Sequence, residues 1–146
     1  MSHILLPRIL LPFDGSPSAA RALRYVVQLT QMQAETEVHL VNVQPLANEW
    51  IVHRLLPEAE LAAMAQEYGE AALAPALAEL TAADIKTITH IERGEIAQTL
   101  ARVATETHCT QIVMGTRGLS TLGDLLLGSV ATKVLHLTPV PVTFVK

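Results

Sequence analysis

Short apolar runs along the chain alternate with longer segments in which apolar residues recur every three or four positions. Short, mostly apolar runs are typical of buried strands, and they occur at Arg8–Phe13, Glu37–Val43 and Gln111–Gly115. Ile85–Ile91 instead alternates apolar with polar residues, as a half-exposed edge strand does. Together with the apolar run Val140–Val145, the pattern predicts a set of strands spread over the whole sequence.

The longer segments between these runs have helical periodicity. Ser16 is a favourable N-cap, and Pro17 suits the first helical position after it. Ser129 is predicted to cap the last helix, with Val130, Val134 and Leu137 on its apolar side. Two further helices are predicted between these, over Pro57–Leu80 and Gly94–Thr107.

Strands that alternate with helices favour a parallel sheet covered on both faces, and residues 1–146 are predicted to form one domain of this kind. Ligands of such sheets bind at the carboxyl ends of strands, where the strand order reverses. Two predicted strands end in small polar residues, at Pro12–Ser16 and at Met114–Gly118. If these two strands are neighbours, both ends open on one crevice.

Composition limits the partners that this chain can have. The formal net charge is -4 and there is no basic run, which argues against non-specific nucleic-acid binding. No uncharged stretch reaches the roughly 20 residues of a membrane span, and the first residues lack the basic leader of a signal peptide. Cys109 is the only cysteine, so no internal disulfide can form. We therefore expect a cytoplasmic protein without a membrane partner.

Glycines are concentrated between Met114 and Ser129. Gly115 and Gly118 would let the backbone turn tightly and approach a ligand, and Gly128 with Ser129 would open a helix whose N-terminus favours an anion. The run is no P-loop, because Asp124 occupies the place of the lysine in that motif. It is no dinucleotide fingerprint either, because that motif directly follows the first strand.

The spacing that does fit is G-x-x-G followed, after nine further residues, by G-[ST]. Here it is formed by Gly115, Gly118, Gly128 and Ser129. With "RILLPFDGS", "VHLVNV", "QIVMGTRG", "LLLGSVATKVL" and "PVPVTFVK", it resembles the ATP-binding branch of the universal stress protein family over nearly the whole chain. The resemblance implies an α/β fold with a five-stranded parallel sheet of order 3-2-1-4-5 and helices on both faces. One departure is Thr110, where a family member often has aspartate before the fourth strand; we expect little effect on the ligand.

The resemblance also implies a ligand, ATP or another adenine nucleotide, with Mg²⁺ carried on its phosphates. Arg117 has two open interpretations, a phosphate contact and a solvated side chain. The other residues that the resemblance assigns are Pro12, Phe13 and Asp14 at the adenine and ribose end, Val43 with its backbone at adenine, Met114 and Gly115 along the sugar and first phosphates, and Gly118, Gly128, Ser129 and Val130 at the phosphates.

Three hypotheses follow for function. The first is a nucleotide-dependent regulator in the stress response, whose protein partner the sequence does not name. The second is a slow ATPase or autophosphorylating enzyme; apart from Asp14, no general base is obvious, and no catalytic residue is assigned. The third is a dimeric scaffold that does not use nucleotide.

Two further expectations concern assembly and the histidines. The strand Val140–Val145 would leave an apolar sheet edge, and both edge physics and the family resemblance point to a homodimer through this strand. The six histidines have no metal-ligand spacing and are each predicted to be structural or exposed.

Overall fold

The computed structural model describes residues 6–33, 35–45, 54–116 and 127–146. These residues form one parallel sheet of five strands in the order β3-β2-β1-β4-β5, which confirms the predicted architecture. The strands are β1 Arg8–Pro12, β2 Glu37–Gln44, β3 Lys86–Arg93, β4 Gln111–Gly115 and β5 Val142–Val145, and the helices include α1 Pro17–Met32, α2 Glu58–Ala82, α3 Ile96–Glu106 and α4 Ser129–Leu137.

The helices cover the two faces of the sheet in pairs. Helices α1 and α2 pack on one face, where alternate strand residues such as Ile9, Leu11 and Leu40 are buried. Helices α3 and α4 pack on the other face, over Leu10 and Ile112. Strands β1 and β4 are therefore apolar on both faces, which is why the sequence shows continuous apolar runs there. No helix in the described part of the chain is long and apolar enough to cross a membrane.

Helix α1 begins as predicted. The Ser16 side chain accepts a hydrogen bond from the backbone N–H of Ala19 at 3.1 Å, and Pro17 is the first helical residue. This cap satisfies one of the N–H groups that a helix start leaves without a partner.

Helix α4 differs from its prediction in two ways. Its N-cap is Gly128, without a side-chain hydrogen bond, and Ser129 is the first helical residue, so the predicted Ser129 cap is wrong by one position. Ala131 and Val134 face the core, whereas Leu137 is 49% exposed because the chain turns away there toward β5. The strand after it begins at Val142 rather than Val140, because Pro141 has no N–H to donate to the ladder.

Candidate functional site

Strands β1 and β4 are neighbours, paired at Ile9 with Gln111 and at Leu10 with Ile112. A cavity of about 210 Å³ lies beyond their carboxyl ends. This is the position that the topology predicts, because the chain leaves β1 toward one face of the sheet and β4 toward the other.

Most of the residues assigned from the sequence lie around this one cavity. Arg117 and Gly118, the remaining two, lie outside the described residues. The assigned residues that line the cavity are Pro12, Phe13, Asp14, Val43, Met114, Gly115, Gly128, Ser129 and Val130.

Sequence reasoning missed part of the wall. Val41 lies two residues before Val43 on the same face of β2, so strand alternation alone could have indicated it. The contributions of α3 depend on how that helix crosses the sheet, which no local pattern encodes. The additional lining residues are Ser16, Ser18, Ala19, Val41, Ile96, Leu100, Thr116 and Ala131.

The cavity has an apolar inner wall and one ionisable side chain among its described lining residues. Leu100, Val41 and Met114 are at most 7% exposed and form the apolar part. The ionisable side chain is that of Asp14, whose Oδ1 accepts the backbone N–H of Ser16 at 2.9 Å. The aspartate thus makes the turn into α1 while its other oxygen stays available to a ligand.

Two helices begin at the cavity, and their N-termini differ. In α1 the Ser16 hydroxyl is the cap. In α4 the N-cap is Gly128, and among the described residues no side chain caps the backbone N–H groups of Ser129, Val130 and Ala131. An uncapped helix start with its positive dipole end at a cavity favours an anionic ligand.

Gly115 has a different role from the tight turn predicted for it. It is the last residue of β4, and its φ is not among the positive values found at described glycines. A Cβ at this position would overlap the Ser18 hydroxyl and lie 2.7 Å from the Ser18 carbonyl oxygen. The missing side chain therefore lets the start of α1 pack directly on the end of β4, and this contact fixes the distance between two walls of the cavity.

The end of β1 is held by β2. The backbone N–H of Phe13 donates to the Val41 carbonyl at 2.8 Å, and the buried Asn42 amide donates to the Phe13 carbonyl at 3.0 Å. Gln44 in turn donates to the Asn42 side-chain oxygen at 2.6 Å. These bonds fix the segment that leads into Asp14.

A protein-family comparison matches residues 6–146 to the universal stress protein family. A universal stress protein of Thermus aquaticus is 31% identical over 94% of this chain and 97% of its own length. The solved structure of the hypothetical protein MJ0577 is 29% identical and superposes with a TM-score of 0.81, over 98% of this chain and 97% of that one.

A further solved structure is that of the universal stress protein from Archaeoglobus fulgidus in complex with dAMP. It is 22% identical, with a TM-score of 0.67 over 98% of this chain and 99% of that one, a level that shows a common fold.

Proposed function

This chain belongs to the universal stress protein family, and we propose that it is a single-domain regulator that binds ATP or another adenine nucleotide in the cavity at the ends of β1 and β4. The observation that supports this most is the convergence of an apolar wall, a carboxylate and an uncapped helix start on one cavity. A fold-related protein has been solved in complex with dAMP, an adenine nucleotide.

The base would lie between Val43 and the apolar inner wall. The backbone N–H and C=O groups of odd-numbered β2 residues point toward β1. The Glu37 N–H donates to the Pro7 carbonyl, and the Val41 carbonyl accepts from the Phe13 N–H. Val43 follows this alternation, but β1 has ended at Pro12. Its backbone N–H and C=O are thus directed to the side of the cavity, where they suit the N1 acceptor and the N6 donor of adenine.

The sugar and phosphates would extend from Asp14 toward α4. The free oxygen of Asp14 suits the ribose hydroxyls, and the first N–H groups of α4 with the Ser129 hydroxyl suit a phosphate. No lysine or arginine is among the described lining residues. The phosphate charge would therefore be balanced by helix dipoles and by Mg²⁺ brought with the nucleotide.

We expect ATP to bind at least about tenfold more tightly than GTP. Guanine presents O6 as an acceptor and N1–H as a donor, so both pairings with Val43 are reversed and buried polar groups lose their partners, at about 1–3 kcal/mol. Isothermal titration calorimetry with both Mg-nucleotides measures the ratio. Equal affinities would contradict recognition of the base by the Val43 backbone.

We further propose a cytoplasmic homodimer joined through β5, with no nucleic-acid or membrane partner. The net charge of -4 and the single buried Cys109 support the location and the lack of nucleic-acid binding. For the dimer, the carbonyl groups of Pro141 and Val145 accept from Ile112 and Thr116. The alternate residues Val142 and Phe144 therefore direct their backbone groups to the free edge, which a two-fold partner can cover.

This arrangement predicts different amide exchange at neighbouring residues of one strand. In a dimer, the N–H groups of Val142 and Phe144 exchange as slowly as those of Thr143 and Val145, which the β4 ladder protects in any case. Light scattering should give twice the chain mass of 15.8 kDa. Fast exchange at Val142 and Phe144 alone, with a monomer mass, would refute a β5 dimer.

A further inference from the structure

A buried carboxylate and two imidazoles form a continuous hydrogen-bonded row on β2 and β3. Glu37 Oε1 lies 2.8 Å from His39 Nε2, and His39 Nδ1 lies 2.9 Å from His90 Nε2. Both Glu37 and His39 are at least nine-tenths buried. The row lies on the sheet face that α3 and α4 cover. Glu37, His39 and Val41 are alternate residues of β2, Val41 is part of the core on that face, and His90 is paired with Val41 on β3. The nucleotide proposal uses none of these three side chains.

The geometry of the two rings is that of a direct N–H···N bond. The ring planes differ by 22° and the ring centroids are 5.1 Å apart, so the two facing nitrogens approach nearly within a common plane. We call His39 and His90 the histidine pair. Glu37, as a carboxylate, accepts from His39 Nε2–H; His39 Nδ1 therefore accepts from His90 Nε2–H.

This arrangement accommodates one added proton and not two. A proton on His90 Nδ1 leaves every hydrogen bond of the row intact. A second proton would have to occupy His39 Nδ1, and two N–H groups would then face each other across the 2.9 Å gap. Two positive rings in contact would also repel each other.

The charges around the pair do not offset that repulsion. Glu37 is already paired with Lys86 of β3 and lies 3.6 Å from Arg8 of β1. The other carboxylate near His90 is Glu92, which Arg102 of α3 holds at 3.0 Å.

Glu106 of α3 also binds Arg102, at 2.9 Å. Each described carboxylate near the histidine pair thus has a cationic partner before any histidine is charged. Burial lowers the pKa of His90, and a positive charge on His39 lowers it further, while Glu92 opposes the shift.

We propose that the histidine pair accepts only one added proton in the folded protein and thereby makes the β2–β3 contact pH-sensitive. The folded protein holds one added proton on the two rings in the pH range where the unfolded chain holds two. Histidines of an unfolded chain bind protons below about pH 6.5. Because the unfolded state then binds more protons, stability is fully present above pH 6.5 and falls as the pH falls below it.

The first test is a histidine ¹H–¹⁵N NMR titration of the intact protein. We expect the pair to take up two protons in separate steps at least one pH unit apart, with the Nε2–H of His39 retained through the first step. His136, which is exposed in the last turn of α4, is observed in the same spectra as a ring outside the row. Two independent steps near pH 6.5 on His39 and His90 would overturn the proposal.

The second test uses His90→Gln with His136→Gln as its matched control. The glutamine side-chain N–H donates to His39 Nδ1 at neutral pH. When His39 is charged, the amide can rotate so that its oxygen accepts from the Nδ1–H, and two N–H groups never face each other. Between pH 7.5 and 5.5 we expect the wild type and His136→Gln to lose roughly 4 °C more of thermal midpoint than His90→Gln. Equal losses in all three proteins would overturn the proposal, whatever the nucleotide experiments give.

Discussion

Replacing Ser129 by aspartate is expected to weaken ATP binding about 100-fold without weakening the fold. Ser129 is the first residue of α4 and is exposed, and a carboxylate there interacts favourably with the helix dipole, by about 0.3–1 kcal/mol. A bound phosphate would meet the same carboxylate at close range. Repulsion between unit charges 4 Å apart near a protein surface is about 4 kcal/mol, and screening leaves about 3 kcal/mol for the loss of affinity.

The matched control is Ser129→Asn, which has nearly the same shape as the aspartate and no charge. It should bind ATP within a few-fold of the wild type, since only one neutral hydroxyl contact is lost. Calorimetry gives the affinities and urea unfolding gives the stabilities. An aspartate variant that is stable and binds ATP as tightly as the wild type would show that the phosphates do not lie at the start of α4.

The second large effect is expected at Gly115, on stability. A methyl group there overlaps the Ser18 hydroxyl and crowds the Ser18 backbone, with 2.7 Å to the carbonyl oxygen. Since backbone atoms cannot rotate away, α1 must shift as a whole. We expect Gly115→Ala to lower the free energy of unfolding by about 3 kcal/mol, at the upper end of overpacking effects. Urea denaturation measures the change.

Ser18→Ala separates the two parts of this contact. It removes the hydroxyl and leaves the backbone in place, so Gly115→Ala should cost about 1 kcal/mol less in the Ser18→Ala background, with most of the cost remaining. A cost below about 0.5 kcal/mol in both backgrounds would contradict the close packing of α1 on β4.

The sequence predicts the strands well because β1 and β4 are apolar on both faces and each is followed by turn residues. The run ending in "PFDGS" and the run ending in "MGTRG" mark the two strand ends at the cavity. Their adjacency came from the family resemblance, because strand order depends on long-range pairing that no local pattern encodes. The sequence predicts the Ser16 N-cap because a serine hydroxyl directly precedes Pro17, a residue suited to the first helical position.

The errors and omissions have a common physical origin. The start of α4 was misplaced by one residue because glycine and serine are both acceptable N-caps. The histidine pair was missed because His39 and His90 meet through the register of β2 on β3, where Val41 pairs with His90. Gly115 was assigned to a turn because its neighbour Ser18 lies on another element.

The most direct test of nucleotide binding in this cavity is a titration of the ¹⁵N-labelled protein with Mg-ATP, followed by amide NMR. We expect saturable shifts at Asp14, Val43 and Ser129, which line the cavity from the turn between β1 and α1, from β2 and from α4. Amides of the β3 edge strand, such as Thr87, should stay unchanged and serve as the control. Shifts that do not saturate at millimolar ATP, or that fall outside the cavity, would contradict the proposed site.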